Sequence, residues 1–445
     1  MNRTKIGLVG YSDKGDWVAN YTGTNKAGET YTGYKTNDIV HTVDGIFAST
    51  VDNNTTKPSG TSEYWRVWVD LRPLSDVVSS PLAEYMLEQS SNPEFHVTND
   101  WAARMYLAHV GGYMMKVVNG QVYAAKLNAN NWNYFDDGSA VDDASKYETM
   151  VNVPKCYFKA RGQSLKFGGL TPIDGGHYFD SPEWVGAYLM YVDGNGVGHS
   201  RPDVSPSHSK TMSAFWDCTQ KLGKEFGEAN YGFHCLINTL YHVRYGNLNS
   251  QSTIGAGWQH SNWEACRNVN MGLTRSLGDG TGSVLYNDST LGDQHPTKLF
   301  GFEDLGDGKH WEFRPGIRYY MDGSQRYAVV YSGNQVSNTA SGRKIAIPLL
   351  GDTGAFIIQM VLGEYWDMIP KAVGGSDSTY YCDGNWDNAN GQLLGVGGNA
   401  NYGSRCGLSC ANSNLVFSVS WSGIGARLAF YGSPIIVSGA ELMAM

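Results

Sequence analysis

Seven cysteines, two adjacent pairs of aspartates and an unusual stock of aromatic rings are the residues from which chemistry could be built. The cysteines are Cys156, Cys218, Cys235, Cys266, Cys382, Cys406 and Cys410. Their number is odd and their spacing wide, so buried free thiols are expected rather than a disulfide framework. Cys406 and Cys410 are the one close pair, and no His or Cys cluster stands nearby to complete a zinc tetrahedron. The pairs Asp136–Asp137 and Asp142–Asp143 supply carboxylates in the number a glycosidase needs, but they sit in a polar turn region and read as solvated loop charges. No His-Glu-x-x-His or Gly-x-Ser-x-Gly motif occurs. A net charge of −9 without any Lys/Arg run or Walker-type loop argues against a protein that tracks nucleic-acid phosphates. The expectation is a protein that is not an enzyme, with no catalytic residues, no cofactor and no metal.

Binding chemistry is concentrated instead in residues 376–419. This segment holds Tyr380, Tyr381, Asp383, Asn385, Trp386, Asp387, Asn388, Asn390, Asn399, Asn401, Tyr402, Asn412, Asn414 and Phe417, and it contains no lysine. Rigid amphipathic rings give contact area at low entropic cost, and Asn, Ser and Gly give adaptable hydrogen bonds. That mixture is the chemistry of a paratope. The same composition also suits glycine- and asparagine-rich turns with no ligand at all.

The elements that must position these residues follow from composition and pattern. With 55 Gly and 13% aromatics, the chain reads as a loop-rich, β-leaning α+β protein, and 445 residues require more than one domain. Residues 1–72 read as a small all-β module, where alternation around Asp44-Gly45 predicts a hairpin. Trp17, Tyr34, Trp65 and Trp68 are candidates there for stacking on sugar rings, and equally for a mini-core, since so small a module has little else to bury. Residues 73–150 read as a connector with a helical pattern from Pro81, a helix capped by Asn99-Asp100 and running through Leu107, and a hairpin at Asn119-Gly120. From residue 151 a third region begins. Its two helices are predicted over Ser213–Phe226, ending near Gly227, and over Asn230–Tyr245, stopped by Gly246. The N-terminus lacks the apolar core of a signal peptide, and nothing approaches a transmembrane span.

Several stretches resemble known families. The order strand, Asp-Gly hairpin, Pro58 loop, Trp65 and Trp68 resembles the small chitin-binding-type modules of phage tail and fibre proteins, which implies glycan contact. The run Leu240–Gly257 resembles a segment of phage structural proteins with a C-type-lectin-like domain. Gly301-Phe-Glu303-Asp304 with Trp311-Glu312-Phe313 … Gly316 resembles a second landmark of that family. Ser420-Trp421 … Gly425-Ala-Arg427-Leu428 resembles the closing strand shared by formylglycine-generating enzymes and the variable proteins of diversity-generating retroelements. Leu305-Gly306-Asp307 departs from the Trp-Gly step usual there. The resemblance implies a C-type-lectin-like domain over 151–445 with its ligand surface near 376–419, where retroelement-diversified relatives are enriched in Asn, Tyr, Ser, Asp and Gly. The oxidase chemistry of the enzyme branch needs a cysteine upstream of Arg405-Cys406, and Gly395–Gly403 has none. The calcium triplet of long-loop lectins is also missing. Taken alone, Arg427 reads as a structural ion-pair donor and Trp311 and Phe313 as core.

The function expected is that of a phage virion fibre or appendage protein, head or tail, displayed on the virion surface for host attachment. Its partners would be a host-cell surface glycan or protein and other virion proteins, in a homo-oligomer that is a trimer by analogy with fibres. The alternative is a decoration protein whose aromatic surface is buried within the particle.

Overall fold

The computed structural model describes residues 100–333 and 336–445. Of the first 99 it describes 12–16, 18–19, 21–24, 30–35, 38–41, 45–49, 52–55, 57–58, 65–70, 83–85 and 95–96. The chain divides into two compact units, residues 1–79 and 80–445. It is a loop-rich α+β protein in which strands far outweigh helices.

In the smaller unit Asp38–His41 pairs antiparallel with Gly45–Ser49 across the Asp44-Gly45 segment, in the register Val40↔Phe47. Trp65–Asp70 extends the sheet on one side and Ser12–Asp16 on the other. Tyr34 is 1% exposed. Its ring stacks on Tyr21 at 4.5 Å and 11°, and its hydroxyl accepts from the Val18 amide at 2.8 Å. Tyr34 is therefore a core residue of the module, and its expected role as an open sugar platform is corrected: Tyr21 and the neighbouring backbone cover it. Trp17 and the side chains of Trp65 and Trp68 lie outside the described residues.

The larger unit is organised around two seven-stranded sheets. The first runs in the order Phe226–Glu228, Arg427–Phe430, Trp184–Leu189, Glu148–Asn152, Gly111–Val118, Gln121–Lys126 and Ile435–Ile436. Three of these strands fall in the segment read as a connector. They belong to this sheet because Gly111–Val118 is apolar on a buried face and pairs with both neighbours. The Asn119-Gly120 turn joins two of them, with φ of 51° and 81°, the conformation a tight hairpin demands. The second sheet runs Asp367–Val373, Ala355–Leu362, Gly384–Trp386, Gly407–Leu415, Leu393–Gly397, Trp311–Phe313 and Ile424–Gly425.

The long helix forms as its sequence dictates, over Tyr231–Tyr245. The Asn230 side chain accepts from the Phe233 amide at 3.0 Å, and Gly246 ends the helix at φ 66°. The helix before it is shorter than predicted, Met212–Leu222, ending at Gly223. Phe226, read as the last residue of that helix, instead opens the edge strand Phe226–Glu228 beside Arg427–Phe430. The helical pattern from Pro81 is also overridden: Ala83–Tyr85 is a strand paired with residues 164–165. Trp101–Leu107 is helical, but Asp100 makes no cap bond; its carboxylate binds Arg104 and Arg244, each at 2.7 Å. Among the described residues no helix is long and apolar enough to cross a membrane.

Candidate functional site

The closing strand and the second landmark meet at one ion cluster that joins the two large sheets. Arg427, fully buried on the first sheet, donates Nε to Glu312 Oε2 at 2.8 Å and Nη2 to Oε1 at 3.1 Å across to the second. Its Nη1 donates to the Gly186 and Ala187 carbonyls and its Nη2 also to that of Glu303, so every N–H is used. Arg314 Nη1 reaches the same carboxylate at 3.1 Å. Burial by itself would raise the Glu312 carboxyl, but the two guanidiniums overcome it and hold the group down at about 2. The landmark residues are thus scaffold, and they fix the frame on which residues 376–419 hang.

On that frame six of the thirteen residues expected to bind ligand are buried: Tyr381, Asp383, Asn385, Asp387, Asn399 and Asn412. The structure turns them inward as supports, which corrects their expected place on the surface. The Asp383 carboxylate accepts from the Ser409 amide at 2.8 Å, and burial pushes its carboxyl well above the usual range. Asp387 accepts from the Leu350 amide and pairs with Arg326, which also donates to the carbonyls of Asn388 and Ser413. Asn412 Oδ1 accepts from the Asn414 amide, and the Asn399 carbonyl accepts from Cys406 Sγ. Tyr381 packs edge-on against His242. A β-rich loop region must satisfy its buried amides, and short polar side chains are suited to that task.

The other seven reach the surface. Asn401 is exposed, and Tyr380, Trp386, Asn388, Tyr402, Asn414 and Phe417 are half-buried. Trp386 and Tyr402 lie 4.7 Å apart, and both contact buried Trp311 edge-on, at 5.5 and 5.9 Å. Phe417, Val419 and Trp421 pack against the same core. Trp421 in turn meets Trp263 at 5.7 Å, and Arg267 stacks over Trp263 while donating to the Ser422 carbonyl. The outcome is a partly exposed aromatic cluster packed on a buried tryptophan, in a segment that also brings Asn388, Asn401 and Asn414 to the surface. Sequence reasoning missed Trp263, Arg267 and Arg326, which lie far from 376–419 in the chain; only the fold brings them there.

The remaining candidates for chemistry are placed as structure. All seven cysteines are free and buried. Asp137 and Asp143 each accept from a Ser amide two residues on, and Asp142 binds Lys146 and Tyr147. These are turn caps on exposed loops. Among the described residues no group of three or more His, Cys, Asp or Glu could hold a metal ion. No protein-family model matches the chain, and no curated protein matches it at a significant level.

Proposed function

We propose that this protein is a phage fibre or appendage protein that attaches the virion to a host-cell surface through the aromatic face of residues 376–419. The observation that supports the reading is the Trp386–Tyr402 pair, partly exposed and packed on buried Trp311 within a segment rich in asparagine. Rings already fixed in place lose little entropy on binding, and rim amides adapt to hydroxyl or backbone partners. The C-type-lectin-like character of 151–445 and a host glycan or protein as partner are part of the same proposal. Homo-oligomerisation, as a trimer, would multiply weak contacts through effective concentration.

The test is binding of the full chain to intact bacterial cells of candidate hosts, compared with a Trp386→Ala/Tyr402→Ala variant. Retention of the wild type and loss of the variant, with an unchanged circular dichroism spectrum, is the expected result. A wild type that binds no cell, while an assembled particle shields Trp386 from solvent labelling, would replace this reading with that of a decoration protein.

A further inference from the structure

A cavity of about 720 Å³ lies in the larger unit, and none of residues 376–419 line it. It is enclosed by His177–Tyr178 and the two residues after them, the first turn of the helix Tyr231–Tyr245, the ends of the strands Gln325–Val330 and Arg343–Ile347, and the segment Tyr365–Asp367. Its size is that of a small-molecule site. At its polar centre Arg343 grips Asp367 with two bonds, Nη1 to Oδ2 at 2.6 Å and Nη2 to Oδ1 at 2.7 Å. Tyr231 adds its hydroxyl to Oδ1 at 3.4 Å. Only two of the five guanidinium N–H groups are spent on that pair, and Arg343 remains 30% exposed. Arg343 therefore keeps donors free, in fixed geometry, beside an Asp367 carboxylate that is only 4% exposed.

The wall beside it is aromatic and open. Tyr178 is 49% exposed and Tyr365 is 42% exposed. Tyr365 is held by the Arg343 guanidinium at 4.1 Å and by the His177 ring at 4.5 Å, while His177 meets Glu364 at 3.1 Å. Lys155 lies over the Tyr178 ring at 3.6 Å. Formal charges around the cavity are Arg343 and Lys155 against Asp180, Glu364 and Asp367, so no positive excess exists to hold a carboxylate, sulfate or phosphate.

We propose that this cavity is a second binding site, for a neutral saccharide. A sugar ring packs its apolar face on Tyr178 and Tyr365, and neighbouring hydroxyls donate to Asp367 and accept from Arg343. This goes beyond the reading of the C-terminal surface and does not depend on it. A neutral sugar is the class that fits, because it combines C–H faces with paired hydroxyls and carries no charge for the cavity to balance.

The experiment uses the full chain, labelled and applied to an array of immobilised neutral and acidic oligosaccharides. Neutral sugars should retain it. The Tyr178→Ala/Tyr365→Ala variant, which also takes away the ring packed on Arg343 and His177, should bind about tenfold more weakly, the loss of two stacking contacts of ordinary strength. Arg343→Lys, which keeps the charge but not the fork, should weaken binding too, whereas Trp386→Ala/Tyr402→Ala should leave it intact. Retention by no glycan, or only by acidic ones, overturns the proposal, as does binding that survives the Tyr178/Tyr365 change. Loss with Trp386→Ala/Tyr402→Ala alone would assign the sugar to the C-terminal face and overturn this cavity while upholding the earlier reading.

Discussion

Replacing Glu312 by glutamine keeps the shape of the side chain and removes the charge that Arg427 and Arg314 share. The folded carboxyl sits at about 2 against an ordinary 4.5. That depression corresponds to about 3 kcal/mol of stability at neutral pH. That agrees with the ~3–5 kcal/mol lost when one partner of a buried ion pair is deleted. Because the folded pKa is depressed, this contribution is complete above 4.5 and fades as pH falls from there toward 2. At pH 3.5 the unfolded chain is mostly protonated at this position, and about 1 kcal/mol of the contribution is gone. The assay is urea unfolding of wild type and Glu312→Gln, followed by tryptophan fluorescence at pH 7 and pH 3.5. The expected gap of about 3 kcal/mol at pH 7 narrows by about 1 kcal/mol at pH 3.5. A gap that does not change with pH, or a variant as stable as the wild type, would refute the ionised bridge between the sheets.

Other consequences are open to direct measurement. His242 is fully buried and held down to about 3 by burial, so the unfolded state takes up a proton below pH 6.5 that the native state refuses; relative to His242→Gln, the wild type should lose about 2 kcal/mol between pH 7 and 5, read from paired urea curves. A Cβ on Gly407 would stand 1.9 Å from the Asp383 carboxylate, which the Ser409 amide pins, so Gly407→Ala should cost about 2 kcal/mol by overpacking, visible as a lower urea midpoint. Trp258→Phe removes the indole N–H that Asp304 accepts at 2.8 Å in the interior, and should cost about 1–3 kcal/mol in the same assay. With every cysteine buried, an aromatic disulfide reagent should find no fast thiol in the native chain and all seven after denaturation; one fast native thiol would contradict the burial.

Where local signals are strong and unopposed, sequence and structure coincide. Asn230 and Gly246 bracket a helix because a side-chain acceptor starts it and a left-handed glycine stops it, both within one turn of chain. The Asn119-Gly120 turn is similarly local, and the α+β class follows from many such signals together. The dominance of turn glycines and aromatics was equally legible.

Tertiary structure decided the rest, for reasons of burial and partnership. The helical pattern runs on to Phe226, but there the chain pairs with Arg427–Phe430, which satisfies its backbone groups in a sheet instead. Residues 111–150 read as part of a connector because no local feature says that strands there complete a sheet with Arg427–Phe430. Within 376–419 composition marked the region but could not separate Asn401, which is exposed, from Asp383 and Asp387, which turn in. A side chain's direction there depends on Arg326, Ser409 and Leu350, whose arrival is set by pairing across long separations in the chain. The Arg343–Asp367 cavity was not visible at all, since its polar and aromatic members come from several elements distant in the chain and only their convergence makes a site.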